Sequence, residues 1–183
     1  MAERLVQQRG FNGFSYADVA SELGVTKASL HYHFAGKAEL GEALISRYAQ
    51  RFGDALAAVD ARETGSPEKL DAYAALYSDV LKTQRMCLCG MLAAEYGTLP
   101  QPMQAAVLRF FDENETWLEA LLKAGREAGT LEFSGSARET ARLIISALEG
   151  AMLVARPYGD VSRFQEAARA LLAGLAGARA TAA

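Results

Sequence analysis

Apolar residues recur at spacings of three and four along almost the whole chain, which is the pattern of amphipathic helices. One long stripe follows Gly36 and comprises Leu40, Ala43, Leu44, Tyr48, Phe52 and Leu56. Further stripes run through residues 70–81, 103–128, 137–156 and 161–177. No stretch alternates steadily between apolar and polar residues as a strand would. The pattern therefore predicts an all-α protein.

Proline, glycine and small polar residues mark the borders of these segments. Ser66 can cap a helix that has Pro67 at its first position. Gly129 suits the C-terminal end of the 103–128 helix, and Pro157 should end the helix before it. The Ala-rich end of the chain, AGARATAA, is expected to fray.

Two short helices are predicted within SYADVASELGVTKASLHYHF. Ser15 and Asp18 form a capping pattern, so the first helix can begin at Tyr16 and run to residue 23. Gly24 permits a positive φ and a sharp turn. Thr26 is an N-cap residue type and can start a second helix that runs to residue 34.

The spacing within this segment matches a helix-turn-helix unit. Ala20 is small where the two helices would cross, and Val25 and Leu30 are apolar where their shared core would lie. The other face of the second helix carries donors, a cation and aromatic edges, namely Lys27, Ser29, His31, Tyr32 and His33. This face contains no acidic residue, so it suits phosphate oxygens and base edges.

A zinc site is the competing interpretation of the two histidines. His31 and His33 lie two residues apart, about 200° around a helix, so they cannot share one ion. Cys87 and Cys89 are far away in sequence, which argues against a closed four-ligand site. A structural interpretation also stays open, in which one histidine packs at the helix end. We expect no metal and no cofactor.

Net charge limits the partners only mildly. The chain carries −3 overall, while residues 1–52 carry six Lys and Arg against five Asp and Glu. This small positive excess at the N-terminal end is compatible with DNA binding there. No apolar stretch is long enough for a membrane span, and the first residues do not follow the signal-peptide pattern. We therefore expect a cytoplasmic protein with no membrane partner.

The stretch GFNGFSYADVASELGVTKASLHYHFAGKAELGEALI resembles the DNA-binding segment of the tetracycline-repressor (TetR) family. The shared pattern is G-F, a Ser or Thr cap, the turn glycine, an L-Y-x-H/Y-F-like run and K-x-x-L. The resemblance covers roughly residues 1–50. It implies an N-terminal three-helix helix-turn-helix DNA-binding domain, residues 1–45, joined to a larger helical effector-binding and dimerisation domain, residues 46–183.

The resemblance also implies a set of residues that contact bases or phosphates of double-stranded operator DNA. They are Ser15, Tyr16, Thr26, Lys27, Ala28, Ser29, His31, Tyr32, His33 and Lys37. His31 stands where the family usually has tyrosine. Only MAERLVQQRG precedes Phe11, whereas family members usually have a longer first helix and a basic arm. Whether the native start lies upstream of Met1 stays open, and the short first helix and arm are the basis of the alternative in which DNA binding is impaired.

The larger domain is expected to bind an unknown small-molecule effector and to form a homodimer through the last two helices. The candidate effector-binding residues are Tyr73, Tyr77, Cys87, Cys89, Met91, Glu95, Phe110 and Trp117. The two cysteines could instead sense oxidants or electrophiles, because the nearby Lys82 and Arg85 could favour a thiolate.

The leading hypothesis is a one-component transcriptional regulator, most simply a repressor released by its effector from a pseudo-palindromic operator. The alternative is a helical dimeric interaction or sensor protein with impaired DNA binding. An enzyme is disfavoured, because both histidines lie in the predicted DNA helix and no glycine-rich phosphate loop is present.

Overall fold

The computed structural model describes residues 1–177 and contains nine α-helices within them. They are α1 (Ala2–Arg9), α2 (Tyr16–Leu23), α3 (Lys27–His33), α4 (Lys37–Arg62), α5 (Ser66–Lys82), α6 (Leu88–Ala94), α7 (Gln101–Ala128), α8 (Ala137–Ala155) and α9 (Val161–Ala173). Short 3₁₀ helices, Tyr96–Thr98 and Arg156–Tyr158, follow α6 and α8. No β-strand forms within residues 1–177, so the all-α prediction is confirmed. The expected fraying of AGARATAA falls mainly outside the described residues.

The chain divides into two compact units. The first unit comprises Met1–Phe52 and Arg85–Phe110, and the second comprises Gly53–Gln84 and the chain from Phe111 onward. The first unit therefore contains α1 to α3 together with α6 and part of α4 and α7. The predicted domain boundary after residue 45 concerns function, and it stays a prediction.

Helix α1 packs against α6 in the first unit. The carbonyl oxygen of Gln7 accepts a hydrogen bond of 3.2 Å from the backbone N–H of Met86. Gly41 allows α4 to pass close to its neighbours, because a Cβ at this position would lie 2.5 Å from Met103 Sδ. The buried core of this unit includes Leu5, Val6, Phe11, Val19, Leu30, Ile45, Tyr48, Leu88, Leu92 and Phe110.

Helices α8 and α9 pack against each other in the second unit, and α5 packs against both. Gln165 Nε2 on α9 donates a hydrogen bond of 3.2 Å to the buried hydroxyl of Ser78 on α5. The buried core of this unit includes Leu70, Tyr73, Tyr77, Leu118, Leu122, Ile144, Leu148, Met152 and Phe164. Ile144 and Leu148 therefore belong to the core of the second unit.

Two helix borders differ from the prediction. Gly65 is the N-cap of α5 and makes no side-chain hydrogen bond, so Ser66 is the first helical residue rather than the cap. Helix α9 ends at residue 173 instead of 177, with Gly174 as its C-cap. The segment after it turns aside to pair with the 130–132 loop, where the Glu132 N–H donates to the Leu175 carbonyl at 2.9 Å.

Candidate nucleic-acid interface

Helix α2 begins with a complete capping box. The Ser15 hydroxyl accepts a hydrogen bond from the backbone N–H of Asp18, and the Asp18 carboxylate accepts from the Ser15 backbone N–H at 2.6 Å. Hydrogen bonds from the Ser15 side chain and backbone hold the pKa of Asp18 below its usual range. The cap predicted from sequence is confirmed, and it fixes where the chain enters the helix pair.

The turn between α2 and α3 also forms as predicted. Gly24 has a φ of 66° in the left-handed region and ends α2. Thr26 then caps α3, because its Oγ1 accepts a hydrogen bond of 3.2 Å from the Ser29 backbone N–H. Ala20 and Leu30 are buried between the helices. Val25 is 42% exposed, so its predicted place in the shared core is wrong.

The exposed residues of α3 form a surface that contains no carboxylate. We call this set, Lys27, Ala28, Ser29, His31, Tyr32 and His33, the α3 surface. Tyr32 has 87% of its area exposed, and its ring meets that of His33 edge-to-face at 5.3 Å. Thr26 is exposed at its N-terminal border. The surface presents donors, a fixed cation and aromatic edges to solvent, which matches the chemistry predicted for it.

His31 occupies a defined position on this surface. Its ring packs on that of buried Tyr16, with centroids 4.7 Å apart. Its Nδ1 lies 3.3 Å from the Ala35 carbonyl oxygen. The histidine ring is thus held at the C-terminal end of α3.

The expected contact of Ser15 and Tyr16 with backbone phosphates stays a prediction, and both side-chain hydroxyl groups have hydrogen-bond partners within the protein. The Ser15 hydroxyl donates to the Asp18 carboxylate at 2.7 Å, and the Tyr16 hydroxyl donates to the Phe34 carbonyl at 3.2 Å. Phosphate oxygens can only accept hydrogen bonds, and both hydroxyl hydrogens are already used. The backbone N–H groups at the start of α2 are the donors that this end of the helix retains.

The expected phosphate contact of Lys37 likewise stays a prediction, and its ammonium has partners within the protein. Its ammonium donates hydrogen bonds to the carbonyl oxygens of Phe11 and Phe14. It also lies over both phenyl rings, 4.5 and 4.2 Å from their centroids. Burial lowers the pKa of Lys37, against the opposing effect of Glu95 and Asp18. The half-buried charge thus holds the loop before α2.

Glu95, predicted to anchor an effector, holds the same loop from the other side. Its carboxylate accepts hydrogen bonds from the backbone N–H groups of Phe11, at 2.5 Å, and Asn12, at 3.2 Å. Gly10, at φ 80°, lies so close that a Cβ there would be 2.7 Å from Glu95 Oε1. We call Glu95, Lys37, Phe11, Asn12 and Phe14 the loop cluster. Sequence reasoning missed it, because its members are distant in sequence.

Three of the predicted effector-binding residues meet in the second unit. Tyr73 and Tyr77 are buried with their hydroxyl groups 3.0 Å apart, and Tyr73 donates to Asn114 Oδ1 at 3.2 Å. Trp117 stacks on Tyr73 at 5.6 Å, and its Nε1–H donates to Asp60 at 2.8 Å. The polar groups of Asn114 and Asp60, which the sequence pattern did not indicate, complete this cluster.

The other predicted effector-binding residues lie in the first unit. Cys87 and Cys89 are buried and form no disulfide with each other. Cys87 caps α6, with its Sγ accepting from the Gly90 N–H at 3.5 Å and from the Tyr48 hydroxyl at 3.6 Å. Phe110 packs on the ring of Tyr48 at 5.6 Å, and Met91 is half-buried on α6.

Two open clefts of the second unit are lined by other residues. The larger, of about 330 Å³, is lined by Phe111, Glu115, Arg142, Ile145, Ser146 and Glu149. The smaller, of about 230 Å³, lies among residues of α5 and α9 and beside Leu131. Among residues 1–177, no helix has the length and apolarity that a membrane span needs, and no group of three metal-binding side chains occurs.

Comparison with known proteins identifies the fold and the helix pair. Residues 1–44 match the family described as "Bacterial regulatory proteins, tetR family", and residues 66–171 match "Tetracyclin repressor-like, C-terminal domain". A solved TetR-family transcriptional regulator from Agrobacterium tumefaciens is 32% identical with a TM-score of 0.93, covering 96% of this chain and 94% of that one. The chain belongs to the TetR family.

Two further solved structures are similar over nearly their whole length. A TetR transcriptional regulator from Legionella pneumophila is 30% identical with a TM-score of 0.86, covering 95% of this chain and 92% of that one. The reduced form of NemR from E. coli is 25% identical with a TM-score of 0.82, covering 96% and 93%. No curated protein sequence matches the chain. Membership of the TetR family places the chain among DNA-binding transcriptional regulators rather than enzymes.

Proposed function

We propose that the chain is a one-component transcriptional repressor of the cytoplasm. A homodimer binds a pseudo-palindromic operator through α3 of each subunit, and a small-molecule or thiol-reactive effector releases it. The observation that carries this proposal is the α3 surface, which is exposed, free of carboxylates and flanked by two capped helix starts. An exposed surface of this chemistry on the second helix of a helix-turn-helix suits the major groove.

Within this surface, the residues divide by the contacts that their chemistry allows. Lys27 supplies a charge for a phosphate or a guanine edge, and Ser29 and Tyr32 supply hydroxyl groups that can donate or accept. Ala28, with its small side chain, allows close approach of the helix to the groove and can contact a thymine methyl group. His33 flanks this set beside Tyr32.

The outward face of α8 supports dimerisation through the last two helices. Leu143, Leu153 and Val154 are 57%, 58% and 62% exposed, and Gly150 lies between them on the same side of the helix. Exposed apolar groups of this size on one helix face mark an interaction site. We infer that this face pairs with its counterpart in a second subunit, with α9 beside it, around a two-fold axis.

The aromatic cluster of the second unit supports a small-molecule effector. Tyr73 and Tyr77 are buried, the half-buried Trp117 ring stacks on Tyr73, and the Asn114 amide oxygen accepts a hydrogen bond from Tyr73. Such a combination of apolar walls and a few polar groups is typical of ligand sites. An effector that inserts here would exchange these internal hydrogen bonds for its own.

The position of Cys87 supports a thiol-reactive effector. Its sulfur caps the start of α6, and Glu95, which holds the loop before α2, lies at the other end of the same seven-residue helix. A group added to this sulfur would end its hydrogen bonds with Gly90 and Tyr48 and shift α6. Movement of Glu95 would then loosen the loop that sets the start of α2.

The proposal is tested by selecting bound sequences from random double-stranded DNA and measuring affinity for the recovered site by fluorescence anisotropy. Enrichment of a palindromic site, with a Kd that rises steeply with salt, supports the repressor. Release of that site by a mild thiol oxidant in the wild type, but not in the Cys87→Ser variant, supports the thiol effector. Failure to enrich any site would favour the alternative, a helical sensor that does not bind DNA.

A further inference from the structure

Two apolar side chains are exposed where α3 begins. Val25 is 42% exposed, and its backbone N–H donates a hydrogen bond of 3.0 Å to the Ala20 carbonyl oxygen, which fixes its place in the turn. Ala28, on the first turn of α3, is exposed as well. The N-terminal residues of the second helix are those that contact base edges in a helix-turn-helix complex. The turn therefore holds two apolar groups at the end of the helix that would meet the bases.

Thr26 lies between these two residues and adds a third apolar group. Its Oγ1 accepts the Ser29 N–H at 3.2 Å and lies 3.1 Å from the Ser29 hydroxyl oxygen. Both hydroxyl groups thus have partners within the protein, and the methyl group is what remains of the exposed Thr26 side chain. In the major groove, alanine and threonine methyl groups contact the methyl group of thymine.

The same segment lacks the side chains that read adenine. Asn and Gln read adenine through paired hydrogen bonds to its N6 and N7, and Arg reads guanine in a similar way. None of these three residue types occurs from Val25 to His33, all of which the structure describes. The Asn12 amide, in the loop before α2, donates to Thr98 Oγ1 at 2.7 Å. Lys27 remains as the side chain of the first turn that can contact a guanine edge.

We propose that the start of α3 recognises A·T base pairs of the operator by the thymine methyl group and not by the adenine edge. Ala28, with Val25 beside the cap, determines this specificity, and Lys27 contacts guanine. The inference rests on the proposed function, since it needs α3 to enter the major groove. It gives the exposed Val25 a partner, which the packing of α2 against α3 does not.

The experiment exchanges single bases of the operator recovered by selection and measures the Kd by fluorescence anisotropy. Deoxyuridine in place of thymidine removes only the methyl group, and 7-deazaadenine in place of adenine removes the N7 acceptor. We expect deoxyuridine to raise the Kd about fourfold at one or more positions of each half-site, from the loss of one buried methyl group. At the same base pairs, deazaadenine should change the Kd by less than about twofold.

Protein variants assign the methyl contact to residues. The readout is the Kd for the deoxyuridine duplex divided by the Kd for the thymidine duplex. Ala28→Gly should lower this ratio to about one at a sensitive position, and Val25→Ala should lower it in part. Leu23→Ala is the matched control, because Leu23 is 49% exposed but lies at the end of α2, and it should keep the wild-type ratio. Each variant is compared with itself on two duplexes, so a change in its stability cancels.

The possible failures are distinguishable. Wild-type affinity that is indifferent to deoxyuridine at every position would overturn the inference while leaving the repressor intact. Strong dependence on adenine N7 at the sensitive base pairs would do the same, and so would an unchanged ratio in both Ala28→Gly and Val25→Ala. Failure to enrich any site from random DNA would overturn the inference and the proposed function together.

Discussion

The α3 surface and the loop cluster use the same kinds of side chain in opposite ways. Lys27 is exposed on α3, whereas the ammonium of Lys37 is enclosed by two carbonyl oxygens and two phenyl rings. The carboxylate of Glu95 likewise accepts hydrogen bonds from backbone N–H groups of the loop. The polar groups of the loop cluster thus stabilise the unit, and those of the α3 surface remain available to a partner. Residue type alone does not separate the two roles.

Lys37→Met gives the sharpest test of this comparison. The substitution keeps the length of the side chain but removes the donor for the Phe11 and Phe14 carbonyls, which leaves Glu95 without its nearby cation. We expect the free energy of unfolding to fall by about 2 to 3 kcal/mol, measured by urea denaturation. Lys27→Met should change it by less than about 0.5 kcal/mol. Equal effects of the two substitutions would mean that the lysines do not differ in role.

Glu95→Gln should have the next largest effect. The amide oxygen can still accept one N–H, but the charge that strengthens both hydrogen bonds is lost. We expect a loss of about 1 to 2 kcal/mol in unfolding free energy. Glu42→Gln, an exposed residue of the same unit, is the matched control and should be neutral. A neutral Glu95→Gln would show that the loop does not depend on this carboxylate.

Lys27→Ala tests the other side of the comparison, with DNA affinity as the readout. Removing one phosphate or base contact should raise the operator Kd about tenfold and lower the salt dependence by about one ion for each lysine removed. Lys82→Ala, an exposed lysine of the second unit, should leave both unchanged. An unchanged Kd for Lys27→Ala would remove this residue from the interface.

Ser15→Ala should have the smallest effect, a loss of about 1 kcal/mol from the capping box of α2. Ser21→Ala, an exposed position of the same helix, is the control. The pKa of Asp18 is lower in the folded state, so its contribution is complete above the unfolded value and disappears as the pH falls through the acid range. The difference in Tm between wild type and Ser15→Ala should therefore shrink at low pH, and a constant difference would contradict this account.

The local features of the helix pair could be predicted from sequence, because each depends on neighbouring residues. Ser15, Gly24 and Thr26 determine caps and a turn within a few residues of themselves. The loop cluster could not be predicted, since Glu95 meets Phe11 only through the packing of α6 against α1. The exposure of Val25 was missed for the same reason, because it depends on how the helices pack and not on the residues next to it in sequence.

For the candidate effector residues too, the sequence predicts local spacing but not contacts between distant helices. The spacing of Tyr73 and Tyr77 places both on one face of α5, and the sequence could indicate that much. The hydrogen bond of Tyr73 to Asn114 depends on the packing of α7, because Asn114 lies 41 residues beyond Tyr73 in sequence. Burial of Cys87 and Cys89 likewise depends on how α6 packs.

Lysine footprinting tests the central claim most directly, because it reports on both lysines in one measurement. The protein is acetylated briefly with and without its operator, and modification of each lysine is quantified by mass spectrometry. We expect Lys27 to react in the free protein and to be protected by DNA, Lys37 to resist acetylation in both states, and Lys82 to react in both. Protection of Lys37 instead, or equal reactivity of Lys27 with and without bound operator, would contradict the assignment of α3 as the DNA-binding surface.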